Sequence, residues 1–184
     1  MPVEIEAKFR LVDPEAMRKK LAEAGAESLG TTTQCDTYYD TPDGTLLRSD
    51  QGFRIRIEQA ANEKRQVLLT HKGPRRNGDI KIRSETEQIF ASAESADAAL
   101  ESMGLAPCLS LQKRRESYRL GKATIALDEL PQLGFFLEIE ADSEAAVQQA
   151  RKALGLADEP LVVATYAELV ADHLGRREPR ELCF

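Results

Sequence analysis

The sequence contains little cysteine and little histidine, and this scarcity excludes several kinds of site. Its three cysteines, Cys35, Cys108 and Cys183, lie far apart and form no C-x-x-C pair. A structural zinc site or a disulfide framework is therefore not expected. His71 and His173 are the only histidines, so a histidine metal site or a Ser-His-Asp triad is not expected. Any bound metal should be a hard cation held by carboxylates.

Long apolar runs are missing as well. No window of the 184 residues approaches the ~20 apolar residues that a membrane-spanning helix needs, and the N-terminus lacks the apolar run of a signal peptide. We therefore expect a cytoplasmic protein without a membrane partner. The net charge of -6 argues against nucleic acid as a partner too. The length suits one domain that spans residues 1–184.

Four segments are predicted to be helices. The first three begin after residues that favour the N-cap position, Asp13, Ser92 and Ser143, and all four end at a glycine. Pro14 suits the first helical position because its fixed φ matches the helix. The predicted helices are Pro14–Ala24, Ala93–Met103, Glu144–Leu154 and Val163–Leu174.

Most of the remaining sequence alternates with a period of two, which is typical of β-strands. Turn signals separate neighbouring strands at Pro42-Asp43-Gly44, Gly73-Pro74, Asn77-Gly78 and Gly121. Such short connections imply antiparallel pairing rather than parallel βαβ units. The predicted strands are Val3–Leu11, Gln34–Tyr39, Phe53–Gln59, Gln66–His71, Ile80–Phe90, Gln112–Leu120, Lys122–Asp128 and Phe135–Glu140.

One face of these strands carries charges of both signs. Side chains two residues apart share a face, so Glu4, Glu6 and Lys8 lie together, and so do Arg54 and Arg56. The acids of this face are Glu4, Glu6, Glu58, Glu85, Glu87, Asp128, Glu138 and Glu140. The bases, counting Lys72 beside a loop, are Lys8, Arg54, Arg56, Lys72, Lys81, Arg83, Lys113 and Arg115.

On any single strand this alternation is typical of a solvated face with cross-strand ion pairs. If the same alternation is repeated over half a dozen strands of an open sheet, the sheet exposes a very large charged face. That face adds little stability, since surface ion pairs contribute only ~0–1 kcal/mol each. A sheet that curls or closes places the same residues around a polar lumen. Its apolar faces then pack outward against the helices. We therefore predict an α+β fold.

A lumen rich in both positive and negative charges fits a particular ligand. Arginine and lysine bind phosphate oxygens, whereas clustered carboxylates hold Mg²⁺ or Mn²⁺, which in turn bridge phosphates. Acids alone would indicate a cation site, and bases alone an anion site. Both together indicate a metal–polyphosphate complex.

Several ordered blocks resemble the CYTH superfamily of triphosphate tunnel metalloenzymes, and most closely its class IV adenylyl cyclase-like subgroup. The E-x-E-x-K of Glu4, Glu6 and Lys8 is similar to the superfamily's N-terminal signature. Alone it is a weak signal, but further blocks follow in order along nearly the whole chain. They are Asp36–Asp40, Phe53–Arg56, Leu69–Pro74, Arg83–Glu87, Lys113–Arg115, Leu127-Asp128, Gly134–Glu140 and Tyr166–Leu169.

The resemblance implies an eight-stranded antiparallel β-barrel, or tunnel, with helices packed on the outside. It also implies roles for individual residues. The metal ligands or their supporting shell would be Glu4, Glu6, Asp128, Glu138 and Glu140. The phosphate-binding residues would be Lys8, Arg54, Arg56, Lys72, Arg83, Lys113 and Arg115. Catalysis would involve Glu4, Glu6 and Lys8, while Glu85 and Glu87 could serve the metal or the bases. Lys81 and Glu58 could equally form cross-strand pairs at the tunnel mouth.

By the same resemblance, the protein would be a Mg²⁺- or Mn²⁺-dependent enzyme acting on a nucleoside, organic or inorganic triphosphate. Conversion of ATP to cyclic AMP and pyrophosphate is the first expectation. Inorganic tripolyphosphatase or thiamine triphosphatase activity is the alternative, and a non-catalytic polyphosphate or nucleotide sensor is a third. The resemblance also allows a homodimer.

Overall fold

The computed structural model describes residues 3–61, 64–76, 78, 80–175 and 180–184, so Asn77 of the predicted Asn77-Gly78 turn lies outside the described residues. The strands are β1 (Val3–Leu11), β2 (Glu27–Asp40), β3 (Gly52–Ala60), β4 (Gln66–Lys72), β5 (Lys81–Phe90), β6 (Ala106–Leu120), β7 (Ala123–Leu130), β8 (Gly134–Ala141) and β9 (Glu181–Leu182). The helices are α1 (Pro14–Glu23), α2 (Thr45–Arg48), α3 (Ala93–Ser102), α4 (Glu144–Ala153) and α5 (Tyr166–Leu174).

Eight antiparallel strands close into a barrel, which confirms the predicted fold. Their order is β2-β3-β4-β5-β1-β8-β7-β6, and a pairing between β2 and β6 closes the ring. That closing pair is long, running from Glu27 opposite Arg119 to Asp40 opposite Ala106. The short strand β9 pairs in parallel with β6. Among the described residues, no helix is long and apolar enough to cross a membrane.

The structure differs from the predicted elements at a few boundaries. Strands β2 and β6 begin earlier than predicted, because each is the long-range partner of the other and a local pattern does not record such a partner. Helix α5 begins at Tyr166 rather than Val163, because Thr165 and Glu168 form a capping box there. Helix α2 was not predicted. The Asp40 carboxylate accepts hydrogen bonds from the backbone N–H groups of Leu46 and Leu47 in it.

Three helices cover the outer, apolar face of the barrel. Helices α1 and α4 pack on β1, β7 and β8, with Leu21 and Val147 fully buried against outward side chains such as Ile139. Helix α3 covers β3 and β4 in the same way through Leu100. Burial of each such aliphatic side chain stabilises the fold by about 1.5–3 kcal/mol. This packing leaves the charged face of every strand directed inward.

Helix α5 lies at one end of the barrel and packs differently. Its residues Val170 and Leu174 contact Leu111 and Phe136. By strand alternation Leu111 shares the face of Lys113, and Phe136 shares that of Glu138, so this apolar cluster belongs to the inner face. Helix α5 therefore covers the apolar end of the lumen and leaves the charged part for a ligand.

Candidate functional site

The inner face surrounds a cavity of about 1020 Å³. It is lined by thirteen of the fourteen residues predicted for the site: Glu4, Glu6, Lys8, Arg54, Arg56, Lys72, Arg83, Glu85, Glu87, Lys113, Arg115, Glu138 and Glu140. The remaining one, Asp128, is fully buried behind the lining, where it contacts two of these bases. The fold thus brings the predicted residues to one place.

Carboxylates gather on the part of the wall formed by β1, β5 and β8. Glu4 accepts two hydrogen bonds from Lys72 Nζ, at 2.7 and 2.8 Å, and Glu85 lies 3.1 Å from the same nitrogen. Glu140 is exposed and has no such cation partner among the ion pairs of the described residues. Although Glu140 is open to the lumen, the surrounding wall partly desolvates its carboxyl group. This desolvation, together with the charges of Glu4, Glu85 and Glu6, raises the pKa of Glu140 to about 7. This region therefore holds an excess of negative charge.

Deeper in the lumen, Lys8 and Lys81 lie close together, each with an acidic partner. Lys81 Nζ donates to Glu6 at 2.8 Å, and Lys8 Nζ lies 3.2 Å from Glu138. Both ammonium groups also donate to the carbonyl oxygen of Ala164, just before α5. Burial lowers the pKa of Lys8, but Glu138 and Glu6 outweigh that effect and leave it raised. Lys8 therefore stays charged.

Asp128 organises the bases of β6. It accepts hydrogen bonds from Arg115 Nε at 2.7 Å, from Lys113 Nζ at 3.2 Å and from the Tyr166 hydroxyl at 2.7 Å. Arg115 also reaches Glu138 on the neighbouring strand. Burial, with the positive charges of Arg115 and Arg56 nearby, lowers the pKa of Lys113 to about 7 despite the attraction of Asp128. A bound anion would favour the charged form of Lys113, so Lys113 is suited to bind one.

The bases of β3 depend on Asp36, an inner-face residue that the predicted site did not include. Arg56 Nε and Nη2 each donate to this carboxylate at 2.7 Å, and Arg54 Nη1 lies at 3.5 Å. Burial raises the pKa of Asp36, but Arg56 and Arg54 outweigh this and hold it well below its usual value. Strand alternation places Asp36 on the same face of β2 as Gln34 and Tyr38, which are uncharged, so the sequence carries only a weak signal for it.

Tyr166, at the start of α5, is a second residue absent from the predicted site. Its ring centroid lies 3.7 Å from Lys8 Nζ and 4.7 Å from Lys113 Nζ, so two cations contact one aromatic ring. The sequence contains no clear signal for this contact, because a tyrosine in a helix with an apolar stripe usually packs in a core. The first turn of α5 is part of the lumen wall.

Other charged residues in and around the lumen have additional roles. Arg83 donates to the carbonyl oxygens of Gly73 and Asp50, so part of its hydrogen-bonding capacity is used by loops. Arg75 links Asp50 to Glu168 of α5, which fixes the helix against the barrel end. Arg54 retains a buried Nε donor with no partner among the described residues. That donor can serve a bound anion.

A divalent cation fits the acidic part of the wall in its donor chemistry, although the described residues contain no ready-made cluster of three ligands. The reason is that Glu4, Glu6 and Glu138 each engage a lysine. Desolvation contributes most to the raised pKa of Glu140, and the negative charges of Glu4, Glu85 and Glu6 add to it. Carboxylate oxygens with surplus negative charge are suitable ligands for Mg²⁺ or Mn²⁺.

Comparison with known proteins assigns the family. A family model described as the CYTH domain matches residues 2–166. The chain belongs to the CYTH family. This confirms the resemblance predicted from the ordered blocks, and it agrees with the closed barrel and its charged lumen.

Individual CYTH relatives cover nearly the whole chain. A Methanocaldococcus jannaschii protein named "Putative adenylate cyclase" is 24% identical over 91% of this chain and 98% of its own length. The structure of the PH1819 protein from Pyrococcus horikoshii is 30% identical, covers 92% of this chain and 99% of that one, and superposes with a TM-score of 0.81. A Hippeastrum protein, described as an adenylyl cyclase candidate with a dominant triphosphatase activity, shares the fold at 18% identity, with coverage of 96% and 98% and a TM-score of 0.66.

Proposed function

We propose that this CYTH protein binds a triphosphate in the lumen together with Mg²⁺ or Mn²⁺, and converts ATP to cyclic AMP and pyrophosphate. The observation that carries the proposal is the placement of bases from β1, β3, β4 and β6 around one cavity whose remaining wall has surplus negative charge. Phosphate binding alone would need only the bases. The additional carboxylates therefore favour an enzyme over a non-catalytic sensor.

Two groups of bases, on two nearby strands, would bind the phosphates. Arg54 and Arg56 project from β3, while Lys113 and Arg115 project from β6, and β2 separates these two strands. Guanidinium groups held by Asp36 and Asp128 are oriented in advance, so binding costs less side-chain entropy. A long anion with several phosphoryl groups can contact both pairs at once.

The acids would hold the cation, with Glu4, Glu6 and Glu140 as ligands and Glu138 and Asp128 supporting them. When bound, a divalent cation would supply positive charge to the phosphoryl oxygens and lower the pKa of an attacking hydroxyl or water. Lys72 and Lys8, which now neutralise Glu4 and Glu138, could instead turn to phosphate oxygens. The ion pairs would thus be exchanged for contacts with the ligand.

Hydrolysis is the second candidate reaction. A cyclase must align the ribose 3′-oxygen with the α-phosphorus, whereas a triphosphatase aligns water with the terminal phosphorus. The charged residues of the lumen would bind phosphates, and none of them would select a particular nucleobase. They are therefore compatible with either reaction. The Hippeastrum protein, which shares the fold, is described with a dominant triphosphatase activity, and this supports hydrolysis as the second candidate.

Product analysis tests the proposal. Purified protein is incubated with Mg²⁺ or Mn²⁺ and, separately, ATP or tripolyphosphate, and products are resolved by chromatography. We expect cyclic AMP and pyrophosphate from ATP. Orthophosphate released mainly from tripolyphosphate would instead assign the protein to the hydrolases, and no turnover of either compound would contradict an enzymatic function.

Cation binding should depend on pH through Glu140. Below a pKa of about 7 its carboxyl group is protonated and cannot ligate the cation, so Mg²⁺ affinity should fall as the pH decreases through 7. Competition by one proton gives a decrease approaching about tenfold per pH unit. Calorimetric titration with Mg²⁺ at pH 6 and pH 8 measures this change.

The matched control replaces an acid on the outer face. Glu140→Gln should bind Mg²⁺ weakly, with little change between the two pH values. Glu129→Gln, which affects an outward residue of β7 paired with Arg114, should retain the wild-type pH dependence. A wild-type affinity that is the same at pH 6 and pH 8 would exclude Glu140 as a ligand.

A further inference from the structure

Gln34 occupies a position in the lumen that neither the acids nor the bases explain. It lies on β2, which is opposite β1 in the ring, with three strands between them on either side. Gln34 is only 2% exposed, yet it lines the cavity. Its neighbours across the pairing are Glu58 on β3 and Lys113 on β6. The amide therefore lies between an acid on one side and a base on the other.

The orientation of this amide is fixed by Glu58. Gln34 Nε2 donates a hydrogen bond to the Glu58 carboxylate. The reverse orientation would bring the amide oxygen against the carboxylate, and two acceptors cannot form a hydrogen bond. The amide oxygen Oε1 must consequently point elsewhere. It is buried and has no hydrogen-bond partner among the described residues.

A buried acceptor without a partner is unfavourable, so such an atom calls for a donor from a ligand. The wall around it is polar. Thr32, on the same face of β2, also has a buried hydroxyl without a partner in the described part of the chain, and Ser117 lines the cavity nearby. An ionised phosphate carries only acceptor oxygens and cannot donate a hydrogen bond to Gln34 Oε1. The matching group is an O–H or N–H.

We propose that Gln34, oriented by Glu58, accepts a hydrogen bond from an O–H or N–H group on the organic part of the substrate. This inference rests on the proposed binding of a triphosphate in the lumen. It deepens that function by making the substrate an organic triphosphate with a donor group, such as a nucleoside triphosphate. Inorganic tripolyphosphate would engage the bases but would leave Gln34 without a partner.

The test compares the affinities of wild type and Gln34→Leu for ATP and for tripolyphosphate. Both ligands are titrated by calorimetry, in EDTA and again with Ca²⁺. Loss of one hydrogen bond to a buried acceptor should weaken ATP binding about tenfold, while tripolyphosphate binding changes less than about twofold. Gln88→Leu, on the outer face of β5, is the matched control and should leave both affinities unchanged.

A second variant and a set of analogues complete the test. Glu58→Gln allows the Gln34 amide to adopt either orientation, because an amide side chain can both donate and accept. It should weaken ATP binding in the same direction, even if Gln34→Leu folds poorly. With 2′-deoxy-ATP or 3′-deoxy-ATP, the effect of Gln34→Leu should disappear if the missing hydroxyl is the donor. If the effect persists with both, an N–H of the base is the donor.

The possible failures can be told apart. If Gln34→Leu weakens both ligands equally, or neither, water or the hydration shell of the cation satisfies the amide, and the inference is overturned while triphosphate binding stands. If wild type binds neither ATP nor tripolyphosphate under either condition, the proposed function itself fails.

Discussion

Alanine in place of Glu4 should lower triphosphate turnover by about 10²- to 10³-fold, and Glu138→Ala should have a similar effect. Glu4 lies in the acidic part of the wall, and Glu138 lies between Lys8 and Arg115. Removing either carboxylate takes away charge that would hold the cation or orient a base. Initial rates with ATP and tripolyphosphate measure the loss.

Both variants should remain folded, because the bases that lose a partner keep another. Lys72 still has Glu85 at 3.1 Å when Glu4 is removed. When Glu138 is removed, Arg115 keeps Asp128, and Lys8 keeps its hydrogen bond to the Ala164 carbonyl oxygen. Circular dichroism should therefore be unchanged. Glu129→Ala, on the outer face, is the control and should retain full activity. Wild-type rates in either lumen variant would refute the assigned roles.

Asp128→Ala should be the most destabilising substitution in the lumen. The carboxylate is fully buried and accepts hydrogen bonds from Arg115, Lys113 and the Tyr166 hydroxyl. Without it, Arg115 and Lys113 lie close together and lose the negative charge that stabilises them. The free energy of unfolding should then fall by about 3–5 kcal/mol. In a protein of this size the expected decrease in Tm is roughly 6–20 °C. Thermal and urea unfolding measure it.

Tyr166→Phe shows how much of the stabilisation by Asp128 comes from its hydrogen bond with the Tyr166 hydroxyl and how much comes from its ion pairs. It removes one hydroxyl but keeps the ring near Lys8 and Lys113, and it should lower the stability by only about 1 kcal/mol. If Asp128→Ala unfolds at the same temperature as Tyr166→Phe, Asp128 does not hold the bases of β6 together.

The charged lumen could be predicted because strand alternation is a local property. Glu4, Glu6 and Lys8 share a face whatever their partners are, and the same holds for Arg54 and Arg56. Repetition of that pattern made a closed sheet more favourable than an open one. The inward charged face and a curled or closed sheet therefore followed from spacing, whereas the roles of individual site residues came from the family resemblance.

The remaining features depend on register and on packing at the barrel end. The pairing of Lys81 with Glu6, or of Arg115 with Asp128, requires the alignment of strands that are distant in sequence. Asp36 was not predicted because its neighbours on that face of β2, Gln34 and Tyr38, are uncharged and give no alternating charge pattern. Tyr166 was missed because an apolar helix stripe usually indicates packing on an outer surface, whereas α5 turns its first residue into the lumen.

The most direct test of the account is a calorimetric titration of tripolyphosphate, with Mg²⁺ present, into wild type and into Lys72→Gln. The account predicts one bound triphosphate per chain. It also predicts binding that is at least about tenfold weaker in the variant, since a charge-assisted hydrogen bond is lost. Absence of binding to wild type, or equal affinity in the two proteins, would contradict a triphosphate site in the lumen.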